Sequence, residues 1–240
     1  MNFKIQISSY ILFLLLPLAV CAQIKLPKLI SDGMVLQHSE NLKIWGWAAP
    51  GEKVELHFNN KNYTAKANTA GEWTIQLSPQ KAGGPYTMTF SAGNTITISN
   101  ILFGDVWLCS GQSNMELTMQ RLIDRYPEEA TAENENIRQF LVPDIANFKN
   151  QQTDLNSGEW KSLSPKTIND FSGVAYFFAC SVYKKHHIPI GIINAALGGS
   201  PAQAWISEKG LKKLPDYFKE AHLYKNEKLI AEIEEENANI

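Results

Sequence analysis

Two short segments carry residue types suited to acyl chemistry. The first, Ser110-Gly111-Gln112-Ser113-Asn114-Met115, follows the apolar run Val106-Trp107-Leu108-Cys109 and opens a stretch of helical spacing. A serine in a tight, glycine-containing turn is accessible to substrate. Backbone N–H groups beside it can hold a tetrahedral oxyanion. The second, Ala195-Ala196-Leu197-Gly198-Gly199-Ser200, follows the apolar run Pro189 to Asn194. Gly198 or Gly199 can bring another N–H close, because no side chain stands in the way. Together they suit attack by Ser113 on an ester carbonyl. On spacing alone, an ordinary strand-to-helix turn capped by serine accounts for the first segment equally well. It is not the Gly-x-Ser-x-Gly elbow, since Met115 stands where the second glycine would be.

These segments need a frame. Val106 to Cys109 reads as a strand buried on both faces, with a helix expected over Met115 to about Asp124. Ile137 to Val142 is a second strand, stopped by Pro143. Ser172 caps a helix whose buried face is expected to include Ala175, Phe178 and Val182, and which ends at Lys184-Lys185-His186-His187. The run from Pro189 is a third strand. Strand–helix–strand alternation predicts a parallel sheet, and ligands of such sheets sit beyond the carboxyl ends of the strands, where both segments fall. From Gln23 to about Ile101 the period is instead two: Val54, Leu56 and Phe58, then Trp73, Ile75 and Leu77, then Tyr86, Met88 and Phe90 alternate with polar residues. This predicts a small antiparallel β-sandwich. Trp45 and Trp47 within it could stack on sugar, but a place in the core is the expectation. Leu223 to Ile240 reads as a solvated helix with Leu229, Ile230 and Ile233 as a thin apolar stripe.

Composition excludes several classes of function. The chain has 240 residues, 44% hydrophobic and 19% charged, with a net charge of -2. That is globular and gives no basic footprint for nucleic acid. Three cysteines make no disulfide scaffold and no paired zinc motif, so no metal is expected. Residues 1–22 read as a signal peptide: Lys4, an apolar core from Ile11 to Val20, then Val20-Cys21-Ala22 for cleavage ahead of Gln23. Pro17 breaks a run already too short to span a membrane. Leu18-Ala19-Val20-Cys21 offers lipid attachment at Cys21 as the second option. The expected compartment is therefore periplasmic or extracellular, and Cys109 and Cys180 are expected as buried free thiols.

Gly104-Asp105-Val106-Trp107-Leu108-Cys109-Ser110-Gly111-Gln112-Ser113-Asn114-Met115-Glu116 resembles the nucleophile block of the sialate O-acetylesterase family, within the SGNH (GDSL-like) serine esterase superfamily. Pro189 to Asn194 with Gly198-Gly199-Ser200-Pro201-Ala202-Gln203-Ala204-Trp205 is similar to a second block, and Ser31 to Gln37 to the family's opening. The resemblance implies an α/β fold: an N-terminal β-sandwich over 23–101, then the N-terminal portion of a three-layer α/β/α SGNH domain over 102–240. It implies a serine esterase in which Ser113 attacks the acetyl group of an O-acetylated sugar, with sialic acid the expected substrate. The Ser113 N–H and that of Gly199, in preference to Gly198, would form the oxyanion hole. No cofactor is implied. A histidine oriented by an aspartate would move the proton.

The superfamily carries those two residues as Asp-x-x-His, and no Asp here has a His three residues on. His186 and His187 fall at the amino edge of the sheet, and His38 and His57 in the sandwich. His222 is the one left by topology. All five read best as surface residues, as do Arg121, Arg125 and Arg138, which could otherwise meet a sialate carboxylate. The expectation is a truncated esterase that alone hydrolyses esters poorly. An acetyl xylan esterase, another sugar deacetylase and a catalytically dead carbohydrate-binding fragment are the alternatives.

Overall fold

The computed structural model describes residues 23–145, 147 and 149–238. The signal-like segment 1–22, with Cys21, lies outside the described residues. The first half is built from β1 (Val35–Gln37), β2 (Leu42–Trp47), β3 (Lys53–Phe58), β4 (Lys61–Lys66), β5 (Glu72–Leu77), β6 (Gly83–Ser91) and the long β7 (Thr95–Gly111). β3 and β5 alternate exposed and buried along their whole length, as the period of two requires. β2 and β5 form a two-stranded antiparallel sheet, and β4-β3-β6-β7 a second one. Ile44, Trp73 and Leu77 of the first pack with Leu56, Phe58, Phe90 and Phe103 of the second in one apolar core.

The second half adds α1 (Ser113–Glu116), β8 (Asn134–Leu141), β9 (Trp160–Leu163), α2 (Gly173–His186), β10 (Ile190–Ala196), α3 (Glu208–Leu211), α4 (Pro215–Leu223) and α5 (Glu227–Ala238). β10 pairs in parallel with β7 on one side and β8 on the other, and β9 closes the edge antiparallel. The chain is thus an α/β fold, with a parallel sheet joined to an antiparallel one. The join is β7 itself. Its first part pairs with β6, its middle with β1, and Asp105 to Gly111 with β10. Residues 101 and 102 lie inside this unbroken strand.

Ser172 caps α2 as expected, accepting from the Ala175 N–H at 3.3 Å. The buried face of α2 differs. Ala175, Tyr176 and Ala179 are buried, while Phe178 is exposed and meets Trp107 edge to face at 4.9 Å. The strand expected to be buried on both faces is covered on one only. Cys109 packs in the core under α2, but Leu108, pointing the other way, is 69% exposed. The free edge of β7 beyond Gly104 pairs with no strand among the described residues.

Three further expectations are corrected. The helix over Met115 to Asp124 is one α-turn, α1, followed by a 3-10 turn over Met119–Arg121, because Leu117 and Met119 bond to the start of α2 instead. Leu117 O accepts from the Gly173 N–H, and the Met119 N–H donates to Phe171 O, each at 2.8 Å. Trp45 and Trp47 point away from the core, since the buried positions of β2 are Ile44 and Gly46. Arg138 is not a surface residue. It is 2% exposed, and its guanidinium donates to the carbonyls of Gly33, Asn100 and Glu135 and to Asn100 Oδ1, tying β8 to the segment ahead of β1 and to β7 itself. Burial lowers its pKa, and the charge of Glu135 opposes that shift. Both remaining cysteines are free, Cys109 buried and Cys180 half-buried. Leu229, Ile230 and Ile233 of α5 are half-buried along its stripe.

Candidate active site

The register of β10 on β7 decides what meets at the carboxyl edge. Ala196 pairs with Gly111, so the chain leaves both strands at the same level. There the Leu197 N–H donates to Gly111 O at 3.0 Å. Gly111 has φ +150, a backbone that side chains rarely adopt. Gln112 follows as the residue ahead of α1, and Ser113 is the first residue of the turn.

Two side chains then tie the loops together. The Gln112 amide donates to the Ser200 carbonyl. The Glu116 carboxylate accepts the Gly198 N–H at 2.6 Å, a short, charge-assisted bond. A Cβ at Gly198 would stand 2.4 Å from Glu116 Oε2 and 3.5 Å from Ser113 Cβ, so a side chain there would displace the Glu116 carboxylate from its present place. Ser200 completes the second loop. Its hydroxyl donates to Leu197 O at 2.6 Å and accepts from the Trp205 indole at 2.9 Å. From behind, the Ser172 hydroxyl donates to Met115 O at 2.6 Å, fixing α1 to the start of α2.

Ser113 and Gly198 are therefore brought together. The Gly198 N–H is taken by Glu116, whereas those of Ser113 and Gly199 have no partner among the described residues. Gly199 has φ +75 and open space around it. Ser113 is exposed, with no hydrogen bond to its hydroxyl among the described residues. Arranged in this way, a serine oxygen and two unpaired N–H groups can meet a carbonyl from outside the sheet.

The histidines lie elsewhere. His38 bonds Asp105 Oδ1 at 3.2 Å, six residues before Gly111 on β7 and roughly 20 Å along the strand. His57 bonds Asn62 on the β3–β4 hairpin at 2.8 Å. His186 and His187 end α2 at the amino edge of β10. His222 on α4 faces Glu208 at 3.5 Å and packs on Phe218. None bonds Ser113 among the described residues. Of the three arginines, Arg138 is locked in its tie, and Arg121 and Arg125 are exposed. No cluster of His, Cys, Asp and Glu suited to a metal occurs among the described residues, and no helix there is long and apolar enough to cross a membrane.

Sequence reasoning missed Glu116 and Gln112 as builders of the site. A signal existed for Glu116: three residues after Ser113 on a helix, it shares that residue's face. Its partner, a backbone N–H eighty-two residues away, has no sequence signature.

The model of the family described as carbohydrate esterase, sialic acid-specific acetylesterase, matches residues 103–237. Human sialate O-acetylesterase is 32% identical over 203 residues, covering 76% of this chain and 39% of that protein. The rat enzyme is 30% identical, with 76% and 37% covered. Among solved structures, a carbohydrate acetylesterase from Xanthomonas citri superposes with a TM-score of 0.76 at 36% identity, covering 79% of this chain and 44% of that one. The chain thus spans less than half the length of these relatives.

Proposed function

Because the chain belongs to the sialic acid-specific acetylesterase family of carbohydrate esterases, we propose that it serves the removal of O-acetyl groups from sugars, with Ser113 as the nucleophile. The observation that carries this reading is the pair of loops locked by Glu116 and Gln112, with Ser113 exposed between them. Ser113 Oγ attacks the acetyl carbonyl, and the carbonyl oxygen gains charge against the N–H groups of Ser113 and Gly199. The base that takes the serine proton returns it to the departing sugar oxygen. Water then cleaves the acetyl-serine to acetate. The base is not assigned to any of the five histidines, and this favours as second reading a carbohydrate-binding chain that does not itself hydrolyse.

The proposed substrate is an O-acetylated sialic acid, as the names of the human and rat relatives suggest. Acetylated xylan is the alternative, in line with the broader name of the bacterial relative, a carbohydrate acetylesterase. Acetate release from each sugar, with Ser113→Ala as control, tests the proposal. Ser113-dependent release supports it, and the faster sugar names the substrate. Release that survives Ser113→Ala overturns the nucleophile. No release from either sugar overturns the esterase reading for these 240 residues and favours the second one. The proposed setting is outside the cytoplasm. An N-terminus of Gln23 on the exported protein supports that, and one of Met1 overturns it.

A further inference from the structure

The outward face of the β2–β5 sheet carries a cleft of about 460 Å³ that the esterase reading does not use. Trp45 and Trp47 stand on this face, with the cleft running past both. Large aromatic rings on the solvent side of a two-stranded sheet forgo the burial available on its other side. Trp45 is 37% exposed. Trp47 carries the Lys25 ammonium 5.2 Å from its ring centre, leaving Trp45 as the more open platform.

The rest of the lining comes from the other half of the molecule. Gln151, Gln152 and Thr153 lie on the segment that leaves the carboxyl end of β8, and they line the same cleft as the tryptophans. The next residue anchors them: Asp154 Oδ1 accepts from the Lys28 N–H at 3.0 Å. The Gln151 amide has no partner among the described residues, so it can both donate and accept. The charged groups of the lining, Lys43 and Glu72, are one of each sign. Aromatic faces with amide and hydroxyl groups and no net charge suit a ring with C–H faces and hydroxyl edges. The cleft volume is within the ordinary range for a small ligand. They do not suit an anion or a nucleic acid.

We propose that this cleft is a second carbohydrate-binding site, taking a neutral pyranose unit of an oligosaccharide against Trp45, with Gln151 and Glu72 bonding its hydroxyls. The proposal goes beyond the esterase reading and does not depend on Ser113. Titration of the whole chain with xylohexaose and with lacto-N-neotetraose, followed by tryptophan fluorescence and isothermal calorimetry, tests it. Saturable binding of either glycan is expected, unchanged in Ser113→Ala and weakened about tenfold or more in Trp45→Ala. Thr74→Arg, opposite Trp45 in the ladder and exposed, should block the cleft with both tryptophans in place. It supplies the answer if Trp45→Ala does not fold. No binding of either glycan up to roughly 10 mM overturns the proposal, and so does binding that survives Thr74→Arg. Loss of binding in Ser113→Ala alone would place the sugar at the esterase loops and overturn it equally.

Discussion

At the scale of single residues, the site depends on side chains that do no chemistry. Glu116 spends its carboxylate on one backbone N–H, that of Gly198. Glu116→Ala should leave that N–H free to exchange, raising the hydrogen-exchange rate of the Gly198 amide about tenfold or more, whereas Glu116→Gln keeps an acceptor and should fall between. Amide exchange followed by NMR measures this without any assay of hydrolysis. Arg138 makes the same point away from the site. Arg138→Met removes donors from the Gly33 and Asn100 carbonyls in a buried setting. The expected loss is about 2–4 kcal/mol in denaturant unfolding.

At the scale of elements, the loop after β10 uses its two glycines for different reasons. Gly198 is needed for space, and Gly199 for its positive φ in an open setting. Gly199→Ala should cost about 1–2 kcal/mol in thermal unfolding from backbone strain alone. Gly198→Ala should clash with Glu116, so Glu116→Ala should relieve it while leaving the Gly199→Ala cost unchanged, a coupling that a double-mutant cycle reads directly. The elements themselves were largely legible. Alternation in Val54 to Phe58 and Trp73 to Leu77 fixed strands and their inward faces, and Ser172 marked the start of α2. Legibility failed where tertiary contacts overrode local pattern. The Met115–Asp124 spacing is helical, but α2 claims its backbone groups at Leu117 and Met119. Leu108 is apolar like its neighbours, yet most of it is left exposed among the described residues. Arg138 reads as a surface charge because its acceptors are backbone carbonyls from residues 33 and 100, invisible to any periodicity.

At the scale of the whole molecule, several acidic protons are held by burial. Burial pushes the Cys109 thiol up. It also raises Cys180, with the Tyr176 hydroxyl lowering it and the charge of Glu129 raising it. Burial, followed by the bond to Glu129, holds the Tyr176 phenol far above its usual range. Each group keeps its proton in the fold to a higher pH than in the unfolded chain. The unfolded state therefore binds fewer protons as pH rises, and stability falls. The melting temperature should hold up to about pH 8 and decline from near the ordinary thiol value of 9.0 upward. Cys109→Ala with Cys180→Ala should flatten the first part of that decline in calorimetry. The parallel sheet and the antiparallel one share β7, which runs from Thr95 to Gly111 without a break. Exchangeable modules are usually separated by an exposed linker that can be cut or respliced without disturbing paired backbone. Here the front part offers no such cut: any recombination that swaps it must sever a strand that pairs with β6 and β1 up to Gly104 and with β10 from Asp105 on, and re-form the register that sets where Ser113 lies, so the antiparallel half and the Ser113 loop exchange only together.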